Sequence, residues 1–180
     1  MLCCQVAASE EAVDLADTNI IISDPTLRDG NHALKHKLTL DQIKLYAEKA
    51  DDAGVDIIEV GHGNGLGASS LQLGFSTFSD VDLLNCARQH IKKSKLGIHI
   101  IPGFGKFSDL DKAIDAGVDV FRVASHCTEA DTTERYINYL AKKDKIVTGV
   151  LMMSHMASNE QLVTESKKFV DYGASVSFPI

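Results

Sequence analysis

The sequence predicts an α/β chain in which parallel strands alternate with helices. Short β-branched runs recur along it, stripes of helical period fall between them, and Asp-Ala-Gly-Val-Asp stands at residues 52–56 and again at 115–119. That repeat marks a helix-to-strand junction each time, with glycine closing the helix and valine opening the strand. Strands separated by helices are joined by crossovers rather than hairpins, so their sheet is parallel. At 180 residues, 44% hydrophobic and 24% charged, the chain has globular values and length for one sizeable core, which excludes disorder as the default.

Residues 19–24, Asn-Ile-Ile-Ile-Ser-Asp, have the β-branched content of a buried first strand. Residues 1–18 hold neither a basic leader with an apolar core nor a membrane span, and Glu10, Glu11, Asp14 and Asp17 speak against a mitochondrial transit peptide. A short extension with a helical turn or two is expected there. Thr39 and Gln42 form a capping box, opening a helix whose stripe is Ile43, Leu45, Tyr46, Ala50 and Ala53, and Gly54 ends it. Residues 55–60 read as the second strand, with Glu59 or its neighbours facing inward according to register.

Residues 61–74 carry five glycines and no periodicity, a loop at the carboxyl end of a strand. A helix over 80–92 follows, with Leu83, Leu84, Ala87 and Ile91 on one face, then a strand over 96–101. The alternation continues with helices at 109–116, 128–142 and 158–172 and strands at 118–124, 145–153 and from 174 onward. This makes five strand–helix units and the start of a sixth. A closed (β/α)8 barrel has eight units and roughly 250 residues. The expected fold is therefore a partial (β/α)8 TIM barrel over residues 19–180 with its C-terminal units missing. An open doubly wound sheet ranks second, because no G-x-G-x-x-G follows the first strand.

A net charge of −7, without a Lys/Arg stripe interleaved with aromatics, argues against a nucleic-acid partner. Lys92-Lys93 and Lys142-Lys143 fall near helix ends, where they complement the dipole. Cys3, Cys4, Cys86 and Cys127 lack zinc spacing and read as reduced thiols, so a cytoplasmic protein is expected.

The chemistry concentrates in Thr26-Leu27-Arg28-Asp29-Gly30-Asn31-His32, directly after the first strand. A guanidinium clamps carboxylates, a carboxylate holds a hard cation, and an imidazole moves protons near neutral pH, with Gly30 expected to let the backbone turn. The same residues also suit a polar turn in which Arg28 pairs with Asp29 and His32 caps the next segment. Of the other histidines, His62 and His126 sit just past strands, as pocket residues or as groups satisfied by loop backbone. His155 follows the fifth strand among methionines expected to pack. His36 and His90 read as surface residues. His99, alternating with Ile98 and Ile100, is expected to be buried and hydrogen-bonded. Cys127 has no assigned base.

The Thr-Leu-Arg-Asp-Gly-x-His motif resembles the first-strand signature of the 4-hydroxy-2-oxovalerate aldolases, within the HMG-CoA-lyase-like metal-dependent barrels. Three further stretches in the family's order extend the resemblance: Val60-Gly61-His62-Gly63-Asn64-Gly65-Leu66, the run from Arg122 to Asp131 containing His-Cys-Thr-Glu-Ala-Asp, and Leu151-Met152-Met153-Ser154-His155-Met156. The resemblance implies retro-aldol cleavage of 4-hydroxy-2-oxovalerate, or related acids, to pyruvate and an aldehyde in aromatic-compound degradation. It implies a divalent ion, Mn2+ or Mg2+, with Asp29 as a ligand, Arg28 binding substrate and stabilising the enolate, and His32 as general base.

The chain departs from the family in lacking the later His-x-His metal pair and the substrate-contacting Ser. A lone carboxylate holds a divalent ion weakly. Also missing is the region with which relatives bind an acylating acetaldehyde dehydrogenase. The alternatives are an inactive fragment with exposed strand edges, a half-barrel closed by a partner chain, or another pyruvate-forming or condensing member of the superfamily. Members of that last kind carry an acidic residue where Gly30 stands.

Overall fold

The computed structural model describes residues 20–180. Six parallel strands lie side by side in chain order: β1 (Ser23–Asp24), β2 (Ile57–Glu59), β3 (Lys95–Ile100), β4 (Val120–His126), β5 (Ile146–Met152) and β6 (Val176–Pro179). The helices are α1 (Thr26–Asp29), α2 (Leu40–Asp52), α3 (Asp80–His90), α4 (Phe107–Asp115), α5 (Glu134–Ala141) and α6 (Asn159–Asp171). A doubly wound sheet reverses its strand order and takes helices on both faces. An unreversed order, with the right-handed crossovers such connections almost always have, puts the helices on one face. The sheet curls away from them into a half-barrel, the expected partial (β/α)8 architecture.

Side chains alternate across that sheet. Ile58, Ile98, Phe121, Val123, Val147 and Leu151 face the helices and pack with Ile43, Ala47, Leu84, Leu110, Ile137 and Phe169 in one buried core. Each of these side chains larger than alanine contributes roughly 1.5–3 kcal/mol by leaving water. Glu59, His99, Arg122 and Thr148 face the other way, into the concave side. Lateral pairing places His99 beside Arg122, and Arg122 beside Thr148.

The local rules act as expected at several ends. Thr39 and Gln42 form their capping box, and Ser79 forms one with Asp82. Gly54 and Gly117, the glycines of the repeated pentapeptide, both lie at positive φ, +81° and +85°. The aspartates that close each repeat do further work. Asp56 Oδ2 accepts from the Ile22 amide at 2.8 Å, and Asp119 Oδ2 accepts from the Leu96 amide at 2.9 Å. Each thus ties its strand to the start of the strand beside it. Asp51, buried at the end of α2, accepts from the amides of Lys93 and Ser94. Those bonds outweigh its burial and hold its pKa down at about 2.

Other expectations need correction. Ile20, Ile21 and Ile22 are 71%, 58% and 54% exposed, not a buried strand. β1 is a two-residue edge strand with a neighbour on one side only, so these isoleucines have no second strand to pack beneath. On α2, Leu45 and Ala53 face solvent, and Ala47 takes the buried position. The segment before α5 opens as a 3-10 turn (Ala130–Thr133) rather than as α-helix. Cys86 and Cys127 are unpaired, whereas Cys3, Cys4 and the extension expected over residues 1–18 lie outside the described residues. Among the described residues, no helix is long and apolar enough to cross a membrane.

Candidate active site

The site is built at the carboxyl ends of the strands. Asp24, the last residue of β1, accepts from the Thr26 amide at 2.9 Å and its hydroxyl at 2.6 Å, and Tyr46 donates to its other oxygen at 2.5 Å. The chain is thereby started into the single turn of α1. A 3-10 turn, Gly30–His32, continues it. Gly30 stands where the chain turns, as expected, with right-handed helical angles (φ −61°, ψ −19°) that any residue adopts. One tight turn following another brings the chain round without a left-handed residue.

The helical spacing sends Arg28 inward and Asp29 outward. Arg28 is 7% exposed; its Nε donates to Glu59 Oε1 at 2.5 Å, and its Nη1 donates to Asp29 Oδ1 at 2.9 Å and to the Gly63 carbonyl at 3.1 Å. Glu59, 2% exposed on β2, also accepts from Arg122 Nη1 at 3.3 Å through its other oxygen. One buried carboxylate therefore fixes two guanidiniums, one from α1 and one from within β4. Charge-assisted bonds of this kind are strong when dry. The Arg28–Asp29 pair of the polar-turn reading does form, yet it is one arm of this larger network. The side chain of Asp29 is 66% exposed.

His32 is exposed, with its ring lying over the backbone of Gly63. A Cβ at residue 63 would stand 2.5 Å from His32 Nε2, so a larger residue there would displace the imidazole from this position. His32 meets His36 edge-on, with ring centroids 5.0 Å apart, and His36 stacks on His62 at 3.7 Å. His36 was expected at the surface but is buried. Lys35 and His36 both have positive φ, which turns the chain back and carries the ring inside. Burial and the neighbouring imidazoles of His62 and His32 push the His36 pKa down.

His62 is fully buried, and both of its nitrogens are occupied: Nε2 bonds the Gly74 carbonyl at 3.0 Å and Nδ1 accepts from the Asn64 amide at 3.1 Å. It is a loop-satisfied group. His126 bonds the Thr128 hydroxyl through Nδ1 at 3.0 Å, and His155 is exposed. Met153 and Met156 were expected to pack but are 49% and 59% exposed. Met153 adopts left-handed angles that end β5, and the turn after it rises at the open side of the sheet, next to the edge strand β6. His90 is half-buried against Glu48. Cys127 lies in the apolar core and is no nucleophile candidate.

His99 departs from expectation in one respect. It is buried, 4% exposed, but its Nδ1 has no hydrogen-bond partner. Burial, then the charges of Arg28 and Arg122, push its pKa down to about 3, so the imidazole is neutral at ordinary pH. Arg122 Nε is likewise buried and unpartnered. The sequence alone marks Glu59 only through its register and gives Arg122 no role. The available signal was a charged residue inside an otherwise apolar strand, which demands a partner across the sheet.

Among the described residues, no group of three His, Cys, Asp or Glu side chains is placed to hold a metal ion. Asp29 offers one exposed carboxylate at the mouth, and Glu59 is committed to its arginines. These residues do not by themselves compose a metal site.

The half-barrel thus carries an Arg–Asp turn after its first strand and a buried Glu on its second. The HMGL-like family model matches residues 19–177, and the chain belongs to that family. The chain is 57% identical over 156 residues to the 4-hydroxy-2-oxovalerate aldolase of Spirochaeta aurantia, covering 86% of this chain and 46% of the relative. It is 51% identical over 156 residues to the protein of that name from Pectobacterium atrosepticum, with the same coverage. The chain thus spans about half the length of the curated relatives it matches.

Solved structures similar in fold include the carboxyl transferase domain of Rhizobium etli pyruvate carboxylase. It has a TM-score of 0.71 at 14% identity, over 88% of this chain and 30% of that one. The N-terminal domain of a candidate aldolase from Bacteroides vulgatus has a TM-score of 0.67 at 22% identity, over 86% and 52%. These two likenesses bear on fold alone.

Proposed function

We propose that the site acts on a small 4-hydroxy-2-oxo acid, cleaving it to pyruvate and an aldehyde as the name of the curated relatives indicates. The observation that carries this reading is Arg28, held rigid by Glu59 and Gly63 at the mouth of the concave face with Asp29 and His32 beside it. His32, as general base, takes the proton of the 4-hydroxyl; the O–H electrons form the aldehyde carbonyl. The electrons of the C3–C4 bond pass to the 2-oxo group, giving the enolate of pyruvate; C3 then takes a proton from water, and the His32 imidazolium returns its proton to the hydroxide left behind. Arg28 faces the developing enolate oxygen, where a pre-positioned cation lowers the barrier most. Asp29 is this chain's donor toward a divalent ion, Mn2+ or Mg2+, which polarises the 2-oxo carbonyl when bound. At this site the described residues supply that one donor.

The partner in this reading is the small-molecule substrate, with an acylating acetaldehyde dehydrogenase as consumer of the aldehyde, in the cytoplasm. The test is pyruvate release from 4-hydroxy-2-oxovalerate, coupled to NADH oxidation by lactate dehydrogenase, in the presence of Mg2+ or Mn2+. Turnover is expected in the wild type and is expected to be abolished in Arg28→Ala. Equal turnover in the variant would mean that the pyruvate comes from elsewhere.

A further inference from the structure

His36 is a buried polar ring that the proposed chemistry does not use, and it sits at a corner of uncommon backbone conformation. Lys35 and His36 have φ of +52° and +60°, and consecutive residues of this kind other than glycine persist only where their surroundings enforce them. The surroundings here do so. The His36 amide donates to the Asn31 carbonyl at 2.8 Å, and its carbonyl accepts from the Thr77 amide at 3.2 Å. Asn31 in turn donates through Nδ2 to the Gly61 carbonyl at 3.1 Å. The ring is fixed as well. Its Nδ1 accepts from the Gly63 amide at 3.4 Å, and the His62 ring stacks on it at 3.7 Å with 14° between the planes. His62 is itself immobilised through both of its nitrogens. Burial, then His62 and His32, lower the His36 pKa, which favours the neutral ring that accepting from the Gly63 amide requires.

A general base is ordinarily aimed by a hydrogen bond to its second ring nitrogen. Among the described residues, no hydrogen bond reaches the His32 ring. It lies instead over Gly63 and meets His36 with 71° between the planes and 5.0 Å between centroids, an edge-to-face geometry that is both favourable and directional. Gly63 is common to three contacts: its carbonyl accepts from Arg28, its amide donates to His36, and its bare α-carbon seats His32. We propose that His36 is a positioning residue for His32, a ring clamped by His62 and the Gly63 amide that holds the base over Gly63 at a set distance from Arg28. Gly63 thereby fixes the spacing between the guanidinium and the imidazole that the retro-aldol step uses. The inference rests on the aldolase reading for what His32 does, though not for where it is held.

The test combines NMR and kinetics on the 180-residue chain, labelled with 13C at histidine and glycine. In the wild type, nuclear Overhauser cross-peaks are expected between the His32 ring and the Gly63 α-protons. Two variants then separate the ring from its hydrogen bond. His36→Asn keeps an acceptor for the Gly63 amide and tolerates positive φ, whereas His36→Phe keeps an aromatic ring and loses the acceptor. The cross-peaks should vanish in His36→Asn and persist in His36→Phe. In the pyruvate-release assay, kcat should fall about tenfold to a hundredfold in His36→Asn with KM near that of the wild type, since a misplaced base costs rate rather than binding. His36→Phe should restore most of that rate. A role in folding alone would not separate the two variants in this way. Unchanged cross-peaks and kcat in a folded His36→Asn overturn the proposal, as does a wild-type His32 ring with no cross-peak to Gly63. If His36→Asn does not fold, His62→Leu takes its place: withdrawing the ring behind His36 should weaken the same cross-peaks, and unchanged ones overturn the proposal. Cross-peaks that follow the expected pattern in a wild type releasing no pyruvate, with Mg2+ or Mn2+ present, overturn the aldolase reading and leave the positioning of His32 standing.

Discussion

The two faces of the sheet are built on opposite principles. On the convex face, Ile58, Ile98, Phe121 and Val147 are fully buried among helix side chains, and the core there is continuous and apolar. On the concave face the same four strands present Glu59, His99, Arg122 and Thr148, with two buried donors left without partners. Alternation along a strand means that one backbone serves both. Stability is concentrated on one side and unmet bonding capacity on the other, where the proposed site lies.

The largest test of this contrast is Glu59→Ala. Removing the partner of two buried guanidiniums costs about 3–5 kcal/mol. Urea denaturation should show the loss, whereas a change within experimental error would mean that the arginines are satisfied without Glu59. On the opposite face, Gly149 faces α6 so closely that a Cβ there would run into the Phe169 ring. Gly149→Ala should destabilise by about 1–3 kcal/mol through overpacking, with no effect on pyruvate binding. A weakened pyruvate affinity in that variant would break the separation of the two faces.

A third effect comes from pH. A histidine whose pKa is lowered on folding favours the unfolded state as acid is added, because only the unfolded chain takes the proton. The pKa of His99 is pushed down to about 3, and those of His36 and His62 are also lowered. Their contribution is fully present above the unfolded value and is lost as pH falls below about 6.5. For His99 alone the loss from pH 7 to pH 5 is about 2 kcal/mol. Comparing urea midpoints at those two pH values, His99→Leu should shrink the difference seen in the wild type. The smallest effect is expected at Gly30. Its helical angles and a nearest contact of 3.8 Å to Thr26 leave room for alanine, so Gly30→Ala should raise stability by up to about 1 kcal/mol in thermal melts.

Much of the scaffold was legible because its signals are local. The Thr39–Gln42 capping box, the glycine closures at Gly54 and Gly117 and the spacing of strands and helices each involve residues a few positions apart. Arg28, Asp29 and His32 were legible as reactive types gathered within one turn. What escaped depends on contacts far apart in sequence. Glu59, His99 and Arg122 meet only once β2, β3 and β4 lie side by side. His36 is carried inside by two left-handed residues that nothing in Lys-His announces. Ile20, Ile21 and Ile22 have the composition of a buried strand, but composition does not tell a strand at the edge of a sheet from one at its centre.

The most direct measurement is the exchange of pyruvate methyl protons in D2O, followed by 1H NMR with Mg2+ present, since it reports formation of the enolate without the aldehyde half. The account predicts exchange above the protein-free rate in the wild type, loss of that exchange in Arg28→Ala, and retention in His155→Ala, whose imidazole faces solvent. Absence of exchange in the wild type, or equal exchange in Arg28→Ala, would contradict the claim that the Arg28 cluster stabilises a pyruvate enolate.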